Sequence, residues 1–354
     1  MSHLFQPLTL RNLTLRNRIA IPAMVVQHWS DDSGCVTEKN IAHYREMAKG
    51  GAGLIIQEAT CISPDGRLAD TQLGIWDDNQ IPGLRQITEA VHEFNTPIII
   101  QIHHAGIFGF ADETLCPSDI VCTVREQEKR ARALTEDELH QIQDAFVAAA
   151  ERAVAAGYDG IELHACHSYL ISQFYNTLVN KRTDAYGKQP SLFILEIFRE
   201  IRRRVPEDFV IGVRLGAFEP TLEESIAHGA ELAENSIDFL DISYGFEQRS
   251  QPTKPEDYPF SDRIYAAQKI KEKVSIPVFA VGEIASAQQA EEILEKTKVD
   301  MVDIGRGTLV NPHWANDAKA GRDVGTCLYC KICMWRVKAE NCPGRKKFQH
   351  ANGH

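Results

Sequence analysis

The chain has 354 residues, 44% hydrophobic and 25% charged, an ordinary globular composition with ample length for a buried core. A net charge of −11 opposes contact with phosphate backbones and excludes nucleic acid as a partner. No apolar run reaches the ~18 residues of a membrane span, and Met1-Ser2-His3-Leu4-Phe5 lacks the basic and apolar parts of a signal peptide, so the sequence points to the cytoplasm.

Residues 4–15 read as a hairpin, with Leu8, Leu10, Leu13 and Leu15 alternating around Arg11-Asn12, placed to close the bottom of a barrel. Strand patterns follow at 18–24, 54–60, 97–104, 160–166, 209–216, 239–245, 278–283 and 301–307. Near-continuous apolar runs such as Leu54-Ile55-Ile56 and Ile98-Ile99-Ile100 fit strands buried on both faces. Helical patterns cover 38–49, 135–157, 192–205, 222–234, 262–274 and 287–296, the clearest opening on a Thr135/Glu138 capping box and stopping at Gly157. Strand–helix alternation through eight units predicts an α/β fold, the (β/α)8 TIM barrel, over 1–320, with a cysteine-rich extension over 321–354. The competing open doubly wound sheet needs a glycine-rich turn after its first strand, and Ile21-Pro22-Ala23-Met24 is not one. The long connection at 104–134 falls outside the repeat and reads as functional.

Chemistry in such barrels sits at the C-terminal strand ends. Those ends collect Met24, Glu58-Ala59-Thr60, Gln101 to His104, His164 to His167, Arg214, Ser243-Tyr244-Gly245, Gly282-Glu283 and Gly305-Arg306-Gly307. Glycines where the last two strands meet their helices, with Arg306 beside them, suit a phosphorylated ligand. His164 and His167 leave the fourth barrel strand together, followed by Tyr169. Two imidazoles able to donate to one carbonyl oxygen are worth roughly 3 kcal/mol each. A phenol with an ordinary pKa of about 10 keeps its proton at neutral pH and can serve as a general acid. A metal-binding pair or two capping histidines are the alternatives.

The runs LFQPLTLRNLTLRNRIAIPAM, GLIIQEAT, QIHHAG, ELHACHSYLISQF, NKRTDAYG, VRLG, AVGEI and DIGRG resemble the Old Yellow Enzyme family of FMN-dependent, NAD(P)H-driven ene-reductases, over residues 4–312. The resemblance implies that Pro22, Ala23, Met24 and Ala59 lie against the flavin ring, and that Gln101 bonds its pyrimidine edge. Arg214 would sit near N1 and O2, and Gly282, Gly305 and Arg306 would hold the phosphate. It also implies that His164 and His167 grip the substrate oxygen while Tyr169 protonates the carbon α to it. Val25 stands where relatives often place a Thr or Cys that bonds the flavin, Asn176-Thr177 replaces a usual Ser-Pro, and Lys188 replaces a glycine. Substrate specificity is expected in 104–134 and near Tyr244-Gly245-Phe246.

Cys327-x2-Cys330-x2-Cys333-x8-Cys342-Pro343 reads as a metal or iron–sulfur site before it reads as disulfides. The last gap exceeds that of ferredoxins, and zinc would want a second C-x2-C arm; zinc and free thiols remain alternatives to a 4Fe–4S cluster. The tail is similar to the linker of 2,4-dienoyl-CoA reductase and trimethylamine dehydrogenase, which implies a 4Fe–4S cluster beside the flavin. Those relatives continue into nucleotide-binding domains, for which the sequence leaves no room. The leading expectation is reduction of α,β-unsaturated carbonyl compounds, small molecules. The alternatives are an amine dehydrogenase or demethylase, or an FMN and iron–sulfur electron-transfer subunit with a partner flavoprotein or ferredoxin. Homo-oligomerisation is compatible with either.

Overall fold

The structure, a computed structural model, describes residues 2–26, 28–124, 127–245 and 250–351. The chain opens on the expected hairpin, β1 (Leu8–Leu10) and β2 (Leu13–Leu15), paired Leu8 to Leu15 and Leu10 to Leu13. Next come β3 (Ile19–Ile21), β4 (Leu54–Cys61) and β5 (Ile98–His103). The 104–134 connection holds three short strands, β6 (Thr114–Cys116), β7 (Ile120–Val124) and β8 (Gln127–Ala133), in a small separate sheet. The chain then returns to β9 (Gly160–Ala165), β10 (Val210–Gly216), β11 (Phe239–Ser243), β12 (Val278–Val281) and β13 (Met301–Asp303).

Among the described residues, β3, β4, β5, β9, β10, β11, β12 and β13 close into a parallel barrel in that order, β13 pairing back onto β3. The expected (β/α)8 architecture is therefore the one observed. Leu10 and Leu15 enter the bottom, where Ala20, Leu54, Ile56, Ile99, Val210, Phe239, Phe279 and Met301 form an apolar plug. Phe239 and Phe279 stack there at 4.5 Å. A second, larger core lies between strands and outer helices.

Several boundaries differ from the sequence reading, two of them for a clear local reason. β3 stops at Ile21 because Pro22 has no N–H to continue the ladder. β13 stops at Asp303, and Gly305–Val310 is already helix. Residues 81–92, which carry no predicted element, form the helix Ile81–His92; Pro82 and Gly83 in its first turn hide the pattern, though proline is well tolerated there. The tail folds back on the barrel through Trp335, 5% exposed, whose ring lies 5.5 Å from His43 and 6.2 Å from Trp29. No helix among the described residues is long and apolar enough to cross a membrane.

Candidate active site

Above the apolar plug the barrel interior turns polar. Gln101, Glu162, Arg214, Asp241 and Asp303 point inward from β5, β9, β10, β11 and β13 and are at most 5% exposed. Arg214 Nη1 lies 3.0 Å from Asp241 Oδ2, and the Gln101 amide donates to Glu162. Burial, together with the neighbouring Asp241 carboxyl, pushes Glu162 and Asp303 well above the usual carboxylate range. Arg214 is the one guanidinium of this layer, and it pairs with Asp241. Arg214 Nε is buried without a hydrogen-bond partner.

Over this layer opens a cavity of about 480 Å³, lined on one side by Pro22, Ala23 and Met24 and on the other by Arg214 and Ser243. Its far end is formed by Gly282, Gly305 and Arg306, with Arg263 alongside. Arg263 lies 3.8 Å from the centre of the Tyr244 ring, and Tyr244 donates to the Asp262 carboxylate. The tail completes the wall through Thr326, Cys327 and Tyr329, with Arg306 stacked 4.2 Å over Tyr329. A Cβ at Gly305 would stand 3.3 Å from Met24 Sδ and 3.4 Å from Pro22 Cγ, crowding the cavity wall.

At the β9 end, His164 Nε2 and His167 Nδ1 are 2.9 Å apart, and His167 Nε2 is 3.1 Å from Ser243 Oγ. The Tyr169 ring centre is 4.9 Å from that of His164, 6.2 Å from that of His167 and 5.2 Å from that of His103, all edge-on. Burial holds both His164 and His167 well below the usual imidazole range, reinforced for His164 by His167 and for His167 by Arg214. Both rings are therefore neutral, with one N–H each. His164 Nδ1 has no partner. An orphaned acceptor is cheaper than an orphaned donor, so the favoured arrangement has His164 Nε2–H donating to His167 and His167 Nε2–H donating to Ser243. The structure thus brings the expected trio together, but the imidazoles are bonded to each other and not set as two parallel free donors.

A family model for the NADH:flavin oxidoreductase / NADH oxidase family matches residues 3–324. The chain belongs to this NADH:flavin oxidoreductase family. It is 37% identical to an NADH oxidase of Thermoanaerobacter brockii, across 98% of this chain and 54% of that protein, so it spans about half the length of that relative. It is 36% identical to an NADPH dehydrogenase of Bacillus pumilus (strain SAFR-032), across 89% of this chain and 94% of that one. Among solved structures, morphinone reductase matches with a TM-score of 0.75 at 26% identity, over 91% of this chain and 90% of that chain. Membership makes the chain an NAD(P)H-dependent oxidoreductase that works through FMN, and the cavity fits that cofactor, since glycines and arginines line it beside apolar and hydrogen-bonding groups.

Two expectations change within the NADH:flavin oxidoreductase frame. Cys327, Cys330, Cys333 and Cys342 are free thiols, Cys330 exposed, and among the described residues no group of three His, Cys, Asp or Glu is arranged to hold a metal. The tail as folded does not gather these thiols, so the described residues do not support the expected 4Fe–4S cluster or the zinc alternative. Its Cys327 borders the cavity instead. Arg263 was absent from the expected site because it stands at the start of the helix Asp262–Lys271, away from any strand end. The buried acids were legible in principle: Glu162, Asp241 and Asp303 each sit between two apolar residues in a strand. Phe246 lies outside the described residues.

Proposed function

We propose that the chain reduces the activated carbon–carbon double bond of α,β-unsaturated carbonyl compounds. Pro22, Ala23, Met24 and Ala59 bear on the flavin ring, Gln101 and Arg214 on its polar edge, and Gly282, Gly305 and Arg306 on its phosphate. Bound FMN supplies the hydride chemistry, recharged by NAD(P)H. The observation that carries the reading is the pair of imidazoles, 2.9 Å apart, packed against Tyr169 and bonded to Ser243 of the cavity wall. A substrate oxygen entering there competes for the N–H groups now spent on His167 and Ser243. In a site this dry such donors are worth roughly 3 kcal/mol each when charge grows on the oxygen. Tyr169 delivers the proton to the α carbon. Neutral imidazoles favour a carbonyl over a cationic amine only modestly, but the likeness to a protein named morphinone reductase supports reduction.

Steady-state reduction of cyclohexenone with NADH and NADPH tests the reading. Tyr169→Phe is expected to slow enone turnover about 100-fold, the low end for loss of a general acid, while NAD(P)H still bleaches the flavin. Wild-type protein whose flavin is reduced by NAD(P)H yet never passes hydride to any enone would sink the reading. The tail stays outside this chemistry; about four irons per flavin in anaerobically purified protein would bring the cluster back into it.

A further inference from the structure

The turn that carries His167 and Tyr169 is backbone-strained. His167 and Ser168 have φ of 59° and 57°, consecutive non-glycine residues in the left-handed region, a conformation that persists only when surroundings impose it. What imposes it is one carboxylate. Glu219, 2% exposed, reaches across from the loop after β10. Its Oε1 accepts from the His167 N–H at 3.1 Å and from the Gly245 N–H. Its Oε2 accepts from the Ser168 N–H at 3.3 Å and from the Ser172 hydroxyl. Successive N–H groups of this kind form a concave anion site, and here the chain fills it with its own side chain.

Two glycines make room for the arrangement. A Cβ at Gly216 would come 2.4 Å from Glu219 Oε2, and a Cβ at Gly245 would come 2.3 Å from His167 Cα. The Glu219 carboxylate therefore ties together the ends of three adjacent barrel strands, β9, β10 and β11. Two of those ends carry the partners of one hydrogen bond: His167 follows β9, and Ser243, two residues before Gly245, closes β11. Nothing in the reaction requires Glu219 to touch substrate or flavin.

We propose that Glu219 is the positioning residue of the histidine pair: by fixing the His167 backbone and the Ser243 strand end together, it sets the His164–His167–Ser243 hydrogen-bond chain and so which nitrogens carry the protons offered to a ligand. The catalytic use of those protons rests on the enone reading above; the positioning itself does not. A carboxylate supplies acceptor sites for all four donors in this volume, and their hydrogen bonds oppose the burial that pushes its carboxyl up. Glutamine of equal size turns an NH2 group toward two donors and must break at least one of the four contacts.

The test uses full-length FMN-loaded protein labelled with 15N-histidine, with His164 and His167 assigned through His164→Asn and His167→Asn. In Glu219→Gln the imidazole 15N resonances of both are expected to shift, with FMN content unchanged and kcat/KM for cyclohexenone about 100-fold lower, the scale of a misplaced group. Ser172→Ala removes one donor without a clash and is expected to move the same resonances less; it decides the matter if Glu219→Gln does not fold. Histidine resonances unmoved in the folded variants overturn the proposal. Resonances that move in a protein whose wild type reduces no enone refute the enone reading and leave the role of Glu219 standing.

Discussion

Replacing Glu58 by glutamine should flatten the stability of the protein between pH 4.5 and about 8. Glu58 is 1% exposed on β4, accepting from the Val26 N–H at 2.8 Å and from the Tyr44 hydroxyl at 3.3 Å. Burial outweighs those bonds and pushes its carboxyl from 4.5 up to about 8. The unfolded chain releases this proton above pH 4.5, whereas the folded chain keeps it until about 8. The group's contribution to stability is therefore intact below 4.5 and is lost as pH rises through that window. At about 1.4 kcal/mol per unit, the loss is of order 5 kcal/mol. Glutamine keeps an acceptor for Val26 and does not titrate, so its variant lacks that slope. Urea denaturation followed by tryptophan fluorescence at pH 5, 6, 7 and 8, with saturating FMN, reads the difference. With an m-value of about 3 kcal/mol per molar, the wild-type midpoint should fall by roughly 1.5 M relative to the variant across the series. Glu162 and Asp303 are the same in both proteins and cancel. Parallel midpoint-against-pH curves would refute the reasoning.

Arg214→Leu strands the Asp241 carboxylate in the barrel interior and should cost about 3–5 kcal/mol in denaturant titration, because breaking a buried pair leaves one charge uncompensated. Arg263→Ala and Arg306→Ala should each weaken FMN binding at least about tenfold by fluorescence titration of apoprotein, the scale of a lost charge-assisted hydrogen bond; Arg263 is the sharper case, since no strand-end pattern pointed to it. Thr135→Ala removes the side chain that caps Glu136–Ala155 and should cost about 1 kcal/mol, with no effect on flavin content.

What the sequence made visible followed the range of the forces involved. The Thr135/Glu138 capping box is local, and both reciprocal bonds are present. The barrel strands were legible because helices cover their outer faces and leave apolar runs. The small sheet within 104–134 was not: β8 reads Gln127-Glu128-Lys129-Arg130-Ala131-Arg132-Ala133, a charged run with no clean alternation, and it is defined by pairing with β6 and β7. At the site, glycine and arginine at the ends of β12 and β13 do converge on one cavity, because strand ends in a closed barrel share one rim. The hydrogen bond between His164 and His167 was invisible, since i to i+3 spacing after a strand says nothing about a left-handed turn. Glu219 was hidden for a related reason: its three tethered loops are distant in sequence and meet only when the barrel closes. Cysteine spacing, in turn, specifies which thiols a metal could use but not that the chain gathers them unaided.

The charge distribution orients any ligand the cavity takes. Within the barrel, burial and the neighbouring Asp241 disfavour charge on Glu162 and Asp303, and Arg214 is matched by Asp241. The histidine end is neutral as well, with both imidazoles held uncharged by burial. Arg263 and Arg306, both beside Gly282 and Gly305 and both braced on tyrosine faces, bring positive charge to the cavity wall and outnumber Glu283 there. An elongated ligand with an anion at one terminus and an uncharged ring at the other is therefore drawn in one direction only. On the proposed function, its anion would go to the glycines and its ring toward Arg214, leaving the histidine pair for a second, smaller molecule. On that reading the charges would separate the cofactor's place from the substrate's before either arrives, with Tyr329 of the tail braced against Arg306 on the cofactor's side.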